Sequence, residues 1–227
     1  MIKLFALIFM LIDHVGIILF PDCFVLRLLG RLAMPLYAYC IARGYFYSSQ
    51  KGTLKKYFIN VGCLFLISQY PFYVMEGSDW TSGLNTCATW LLAIVLLYLV
   101  ERIHTLHDIT KTVIAFTIII LIQRSTFLHT DYRFYGVLTP MVFYYTFFKE
   151  KIKIHQLPIW MVVLNGFYVF VEAENQSLMQ MLSLAAIPLI MILRKKDSEI
   201  RIPKWIFYVF YPLHIMVLLI IRKVVLG

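Results

Sequence analysis

Apolar residues along this chain fall into long continuous runs, each ended by a charged residue or by a turn-forming Gly or Pro. Runs such as Ala93 to Val100 lack the two-residue alternation of a barrel strand and read as helix. Nine stretches satisfy the pattern: 4–20, 32–47, 57–75, 86–101, 110–125, 134–148, 157–172, 178–194 and 204–222. Most approach the roughly 20 residues that carry a helix across a bilayer. The connections are short and hold the usual breakers, including Pro21, Gly52, Gly77 to Gly83 and Pro203. With no internal repeat, low-complexity segment or linker, residues 1–227 read as one domain. The expected fold is all-α: a polytopic transmembrane bundle of about nine helices. The first stretch begins at Lys3 and could pass for a signal peptide, but no small-residue cleavage site follows it, and Asp13 and His14 interrupt the run. A retained helix is expected.

Composition agrees. The chain is 61% hydrophobic and 15% charged, with mean hydropathy +0.80, whereas a soluble domain is about 45–50% apolar and about 25% charged. Nine crossings leave too few residues for a separate soluble domain, so any chemistry sits within or at the edge of the bilayer. The net charge of +9 is explained by its distribution. Placing the N-terminus inside gathers 15 of the 21 Lys and Arg on one side, in loops holding Arg43, Lys51, Lys55 and Lys56, then Arg102 and Lys111, then Lys149 to Lys153, then Arg194 to Lys204. The other side keeps Arg27, Arg31, Arg124, Arg133, Arg222 and Lys223, with Glu76, Asp79, Glu172 and Glu174 in its loops. Cytoplasmic loops collect cations, so the expected orientation is N-terminus cytoplasmic and C-terminus outside. The surplus charge then serves topology and anionic lipid, and no nucleic-acid partner is required. Cys23, Cys40, Cys63 and Cys87 show no metal-ligand spacing and read as small apolar residues. Trp90, Trp160 and Trp205 fall near the ends of their stretches, where amphipathic rings mark interfaces.

A few polar residues do not fit an apolar span. Asp13 and His14 lie in the outward half of the first stretch with apolar neighbours on both sides. An ionisable group at the bilayer centre costs about 2.5–3.5 kcal/mol on insertion scales, so such residues normally face a protein interior. Imidazole titrates near neutrality and suits proton transfer, with a carboxylate to orient it. Successive helical residues point about 100° apart, so Asp13 need not touch His14 and can pair with a cation on another helix. Snorkelling to the headgroups accounts for Arg27. Arg31 is different, because it follows Gly30 and starts a helix expected to break at Pro35; its guanidinium can hold a carboxylate, a phosphate or Asp13. Asp131, Tyr132 and Arg133 open the sixth stretch just before Gly136. Tyr211 and His214 flank Pro212, which frees a carbonyl one turn earlier and can open a pocket. Ser68, Gln69 and Tyr70 sit similarly beside Pro71.

These residues together resemble the TraX family of integral membrane proteins. The pattern runs Lys3, Ala6, Met10, Asp13, His14, Gly16, then Gly30, Arg31, Met34, Pro35, then Gly44 and Tyr45. It continues through Ser68, Pro71 and Phe72, Asn85, Asp131, Tyr132 and Gly136, to Tyr211, Pro212 and His214. After Asn85 the family tends to show a Thr and a Gly, whereas this chain reads Thr86, Cys87, Ala88, Thr89, Trp90. The resemblance implies acyl transfer: founding members acetylate the N-terminus of conjugative pilin, and the family looks related to polytopic membrane acyltransferases that modify surface carbohydrates. It implies acetyl-CoA as the acyl donor and a location in the bacterial inner or plasma membrane; no metal is expected, because the cysteines lack ligand spacing. It also implies His14 as the general base, tuned by Asp13. Arg31, Asn85, Asp131, Tyr132, Tyr211 and His214 would hold the acceptor or the developing oxyanion, and Arg43, Lys55 and Lys56 the donor's phosphates. The acceptor, protein or carbohydrate, stays open. A small proton-coupled transporter would use the same residue types, although the chain shows no inverted repeat, and a non-catalytic scaffold would not need them at all.

Overall fold

The computed structural model describes residues 1–172, 178–196 and 203–225; Glu174 and Arg201, which entered the charge balance, lie outside the described residues. The helices are α1 (Ile2–Ile18), α2 (Phe24–Gly30), α3 (Ala33–Gln50), α4 (Leu54–Met75), α5 (Thr86–Val100), α6 (Leu106–Arg124), α7 (Arg133–Phe147), α8 (Leu157–Phe167), α9 (Ala186–Leu193) and α10 (Lys204–Val225). Nine of them answer to the nine expected stretches; the short α2 is additional. Among the described residues no strand forms, so the chain is an all-α bundle. Among the described residues four helical segments are long and apolar enough to cross a membrane: Phe24–Gln50, Leu54–Met75, Leu106–Arg124 and Trp205–Val225. The faces they leave outside the bundle are apolar, with Leu66, Leu121 and Ile220 exposed, as expected where the solvent is lipid.

Local sequence explains most helix ends. Thr105 and Asp108 form a reciprocal capping box at the start of α6. The Asn85 side chain caps α5 by accepting from the Cys87 N–H at 2.9 Å. Pro35 does not break a helix as the sequence leads one to expect. It is the third residue of α3, within the first turn, where backbone N–H groups have no intrahelical partner and their loss costs nothing. The expected spans at 157–172 and 178–194 are less regular than predicted. After α8 comes a π-helical turn, Tyr168–Glu172, and α9 is preceded by a 3-10 segment, Leu178–Ala185. A buried polar chain joins these segments: the Tyr135 hydroxyl donates to Ser183 Oγ at 3.1 Å, which donates to Asn165 Oδ1 at 2.8 Å, while Asn165 Nδ2 donates to the Met161 carbonyl.

The packing of the short α2 back onto α1 positions the site. α1 packs against α2, α3 and α10, while α3 runs through the middle of the bundle against α4, α5, α7 and α9. A Cβ at Gly30 would collide with the Asp13 carboxylate, so the approach of α2 to α1 requires glycine there. At the opposite end, Glu101 gathers the Lys149 ammonium and the Tyr144 and Tyr145 hydroxyls, the hydroxyls at 2.9 and 3.2 Å. Burial alone would raise the Glu101 carboxyl; these donors outweigh it and hold the group below the ordinary carboxylate range.

Candidate functional site

Two cavities lie end to end inside the bundle. The larger, about 540 Å³, is polar and opens at the end of the bundle where α1 finishes and α5 begins. Its wall carries Asp13, His14, Arg27, Arg31, Asp131, Tyr132 and Tyr211, with Glu76, His129 and Arg133 beside them. The sequence had singled out six of these as functional, and they come from α1, α2 and its C-terminus, the loop before α7, and α10. The smaller, about 240 Å³, is mainly apolar and reaches toward the opposite end, past Lys3, Gly44, Tyr47, Ser48 and Tyr57.

The centre of the polar cavity is a histidine pair. His14 Nδ1 and His214 Nε2 are 2.6 Å apart, with the ring planes within 11° of parallel and the centroids 4.9 Å apart. His214 Nδ1 lies 2.6 Å from the Phe210 carbonyl oxygen one turn back on α10. A carbonyl only accepts, so His214 Nδ1 carries a proton. In the neutral pair His214 Nε2 is then a lone pair, and the proton between the rings belongs to His14 Nδ1. His14 Nε2 is consequently unprotonated, which is the form a general base needs. His214 itself is not on the cavity wall; it sits behind His14, 200 residues distant in sequence, and fixes its tautomer.

Asp13 does not orient His14. Its Oδ1 accepts from Arg27 Nη1 at 2.7 Å. Arg27, which snorkelling seemed to explain, is the cation that balances the buried carboxylate. Arg31 lines the cavity but is only 5% exposed, and its buried Nε has no hydrogen-bond partner among the described residues. The Pro35 reading of Arg31 fails, but the Gly30 reading holds: the glycine seats α2 on Asp13, and Arg31 follows as the α2 C-cap.

Asp131 and Tyr132 reach the cavity through a pinned loop. Gln123, buried at the end of α6, donates to Thr130 Oγ1 at 2.9 Å and accepts from the Thr130 N–H at 3.1 Å. The Asp131 N–H donates to the Leu84 carbonyl at 2.8 Å, and Thr86 Oγ1 and Thr89 Oγ1 donate to the Asp131 carboxylate and carbonyl, each at 2.6 Å. Burial pushes the Asp131 carboxyl up, against the Thr86 hydrogen bond and the Arg31 charge. Tyr132 sits at φ 61° and Arg133 at φ 41°. Left-handed backbone at a non-glycine residue costs about 1–3 kcal/mol and persists where the surroundings force it; here it turns Tyr132 toward Arg31.

Other expected site residues lie elsewhere. Asn85 is fully buried and outside the cavity lining: besides its cap, Nδ2 donates to the Phe65 carbonyl at 3.1 Å and its N–H to Gln69 Oε1 at 3.0 Å. Its groups are used to join α4 to α5. Arg43, Lys55 and Lys56 are remote from the polar cavity but flank residues of the apolar one: the Arg43 guanidinium lies over the Tyr47 ring at 5.9 Å, and Lys55 and Lys56 directly precede Tyr57. Trp90, expected at an interface, is instead buried at 6% exposure, while Trp160 and Trp205 are exposed. His129 and Trp90 were not identified as site residues from the sequence. Nothing in the linear pattern marks the first; the second stands where the chain puts larger side chains after Asn85.

Comparison with known proteins adds a family. The family profile described as TraX protein matches residues 1–222. A stretch of 52 residues is 42% identical to an uncharacterized protein of Rickettsia prowazekii (strain Madrid E), covering 22% of this chain and 20% of that protein. The chain thus matches about a fifth of the length of that curated relative. No solved structure matches the chain.

Proposed function

The chain belongs to the TraX family, and from that premise we propose that it is a membrane-embedded acetyltransferase, moving an acetyl group from acetyl-CoA to an amine or hydroxyl of a membrane or cell-surface acceptor. The observation that carries the reading is the buried His14–His214 pair, whose hydrogen bonds leave His14 Nε2 bare at the wall of a polar cavity. The location we assign is a bacterial inner or plasma membrane with the N-terminus cytoplasmic. In that orientation the polar cavity opens outward, toward an acceptor, and the apolar cavity opens inward, toward cytoplasmic donor.

The residues divide the work as follows. His14 Nε2 takes the proton of the acceptor amine or hydroxyl as that atom bonds to the thioester carbonyl carbon. His214 stabilises the positive charge His14 acquires, through a hydrogen bond that strengthens as the imidazolium forms. Arg31, and Tyr132 beside it, place positive charge and a hydroxyl donor where negative charge develops on the carbonyl oxygen. When the C–S bond breaks, His14 returns its proton to the departing sulfur, giving the acetylated acceptor and CoA. Asp13 neutralises Arg27 and anchors α2, so its part is to position Arg31. Residues suited to the donor's phosphates are Arg43, Lys55 and Lys56, which lie at the Lys3 end near the apolar cavity; the fit rests on basic charge at a mouth leading to the histidines.

The test is incorporation of radiolabelled acetyl from acetyl-CoA into membrane and surface fractions of cells, with purified protein restored to membranes lacking it. His14→Gln at normal expression should lower incorporation about 10²–10⁴-fold. Undiminished incorporation by His14→Gln and His14→Ala refutes the assignment. A proton-coupled transporter could use the same two cavities as a route; it would move solute without binding acetyl-CoA, and saturable binding of acetyl-CoA, competed by CoA, decides against it.

A further inference from the structure

The polar and apolar cavities share four lining side chains: Met10 on α1, Tyr37 on α3, Trp90 on α5 and Tyr211 on α10. One large residue from each of four helices therefore forms a waist at which the two spaces adjoin. Tyr37 and Trp90 pack on each other, centroids 5.2 Å apart. Trp90 is 6% exposed, yet its indole Nε1 has no hydrogen-bond partner among the described residues. A buried indole N–H nearly always finds an acceptor. This one belongs to a side chain that lines both the chamber carrying His14 and the chamber leading to the opposite end, and among the described residues no oxygen accepts from it.

We infer that the waist is an acyl slot, in which the Trp90 indole N–H receives the carbonyl oxygen of a short acyl thioester and Met10, Tyr37 and Tyr211 exclude longer chains. This rests on the acyltransferase reading and adds a residue that sets its substrate range. A thioester carbonyl is the matching chemistry. It offers an acceptor and no donor, and it has to stand within reach of His14 while the rest of the donor lies on the far side of the waist. Met10 and Tyr211 also adjoin the histidines, the Tyr211 ring lying 6.2 Å from that of His14, so a group held at the waist is beside the base. Four large side chains stand where the two cavities adjoin, and a small acyl group displaces less of that packing than an extended one.

The experiment measures equilibrium binding of CoA, acetyl-CoA and hexanoyl-CoA to the full chain in nanodiscs, with His14→Gln in every sample to prevent turnover. Trp90→Phe keeps an aromatic ring and removes the N–H; it should leave CoA binding unchanged and reduce the advantage of acetyl-CoA over CoA by about three- to tenfold. Trp90→Ala, which opens the waist, should raise the affinity of hexanoyl-CoA relative to acetyl-CoA by about tenfold or more. Thermal unfolding of each variant establishes that it is folded, and Trp160→Phe, at an exposed tryptophan that lines neither cavity, serves as a control with an unaltered profile. If all proteins bind CoA but the acyl-length profile is the same with and without the indole, the slot is refuted and the acyltransferase reading stands. If the parent protein binds none of the three, both fall.

Discussion

Replacing His214 tests the pairing on which the site depends. In the structure His14 Nδ1 has one partner, His214 Nε2 at 2.6 Å, and His14 is 9% exposed. His214→Phe fills much of the ring's volume but removes that acceptor, leaving a buried N–H unsatisfied at about 1–3 kcal/mol. The Phe210 carbonyl still lies in α10 and keeps its helical environment, so little more is lost there. In the reaction the missing bond matters as a charge-assisted one, worth about 1.5–3 kcal/mol, which at 1.36 kcal/mol per tenfold lowers kcat about 10- to 160-fold. His214→Gln, whose amide can both accept from His14 and donate to a carbonyl, should recover part of that loss. The direct assay is nitrogen NMR of ring-labelled histidine. In the parent protein His14 should show a protonated Nδ1 and a bare Nε2, and His214 the same; in His214→Phe the His14 tautomers should mix. A parent His14 carrying its proton on Nε2, or His214→Phe transferring acetyl within twofold of normal, refutes the reasoning.

The remaining predictions concern the frame around that pair. Arg27→Gln leaves Asp13 buried without its cation; loss of one partner of a buried pair costs about 3–5 kcal/mol, but Arg27 keeps 23% side-chain exposure, so roughly 1–3 kcal/mol is expected in chemical unfolding. Adding Asp13→Asn should return part of that loss, and a double-mutant cycle with no coupling would show that the pair is incidental. Gly30→Ala sets a methyl group against the Asp13 carboxylate and should destabilise by about 1–3 kcal/mol; a melting temperature equal to the parent's would mean that α2 does not seat as described. Glu101, whose carboxyl is held below its ordinary range, contributes stability that is present above about pH 4.3 and is lost as pH falls through its folded value. The melting temperatures of the parent and Glu101→Gln should therefore differ at neutral pH and converge as pH falls below the ordinary carboxylate range; a constant gap would exclude the carboxylate as its source.

Much of the architecture was legible in the sequence because its cause is local. A helix in lipid must be continuously apolar over its length and must satisfy its own backbone, so the positions of α1, α3 to α7 and α10 follow from where the apolar runs start and stop. The exceptions have physical reasons. α2 is only seven residues, too short to carry a period of its own. The segments around α8 and α9 are held by the Tyr135–Ser183–Asn165 chain, whose members are 18 and 48 residues apart. Pro35 looked like a break because composition does not show where a first turn begins.

For the site, the sequence by itself determined which residues are expensive to place in a membrane: Asp13, His14, Arg31, Asp131, Tyr132, Tyr211 and His214 were visible as polar groups among apolar ones. It could not determine their partners, because side-chain contacts are set by how helices distant in the chain come to face one another. Only the tertiary structure decided that Asp13 belongs to Arg27 and His14 to His214. It also decided that Asn85 caps a helix and that Trp90 stands between two cavities rather than at a lipid interface. The cost of burying a polar group is a property of the residue, whereas the hydrogen bond that offsets the cost is a property of the fold.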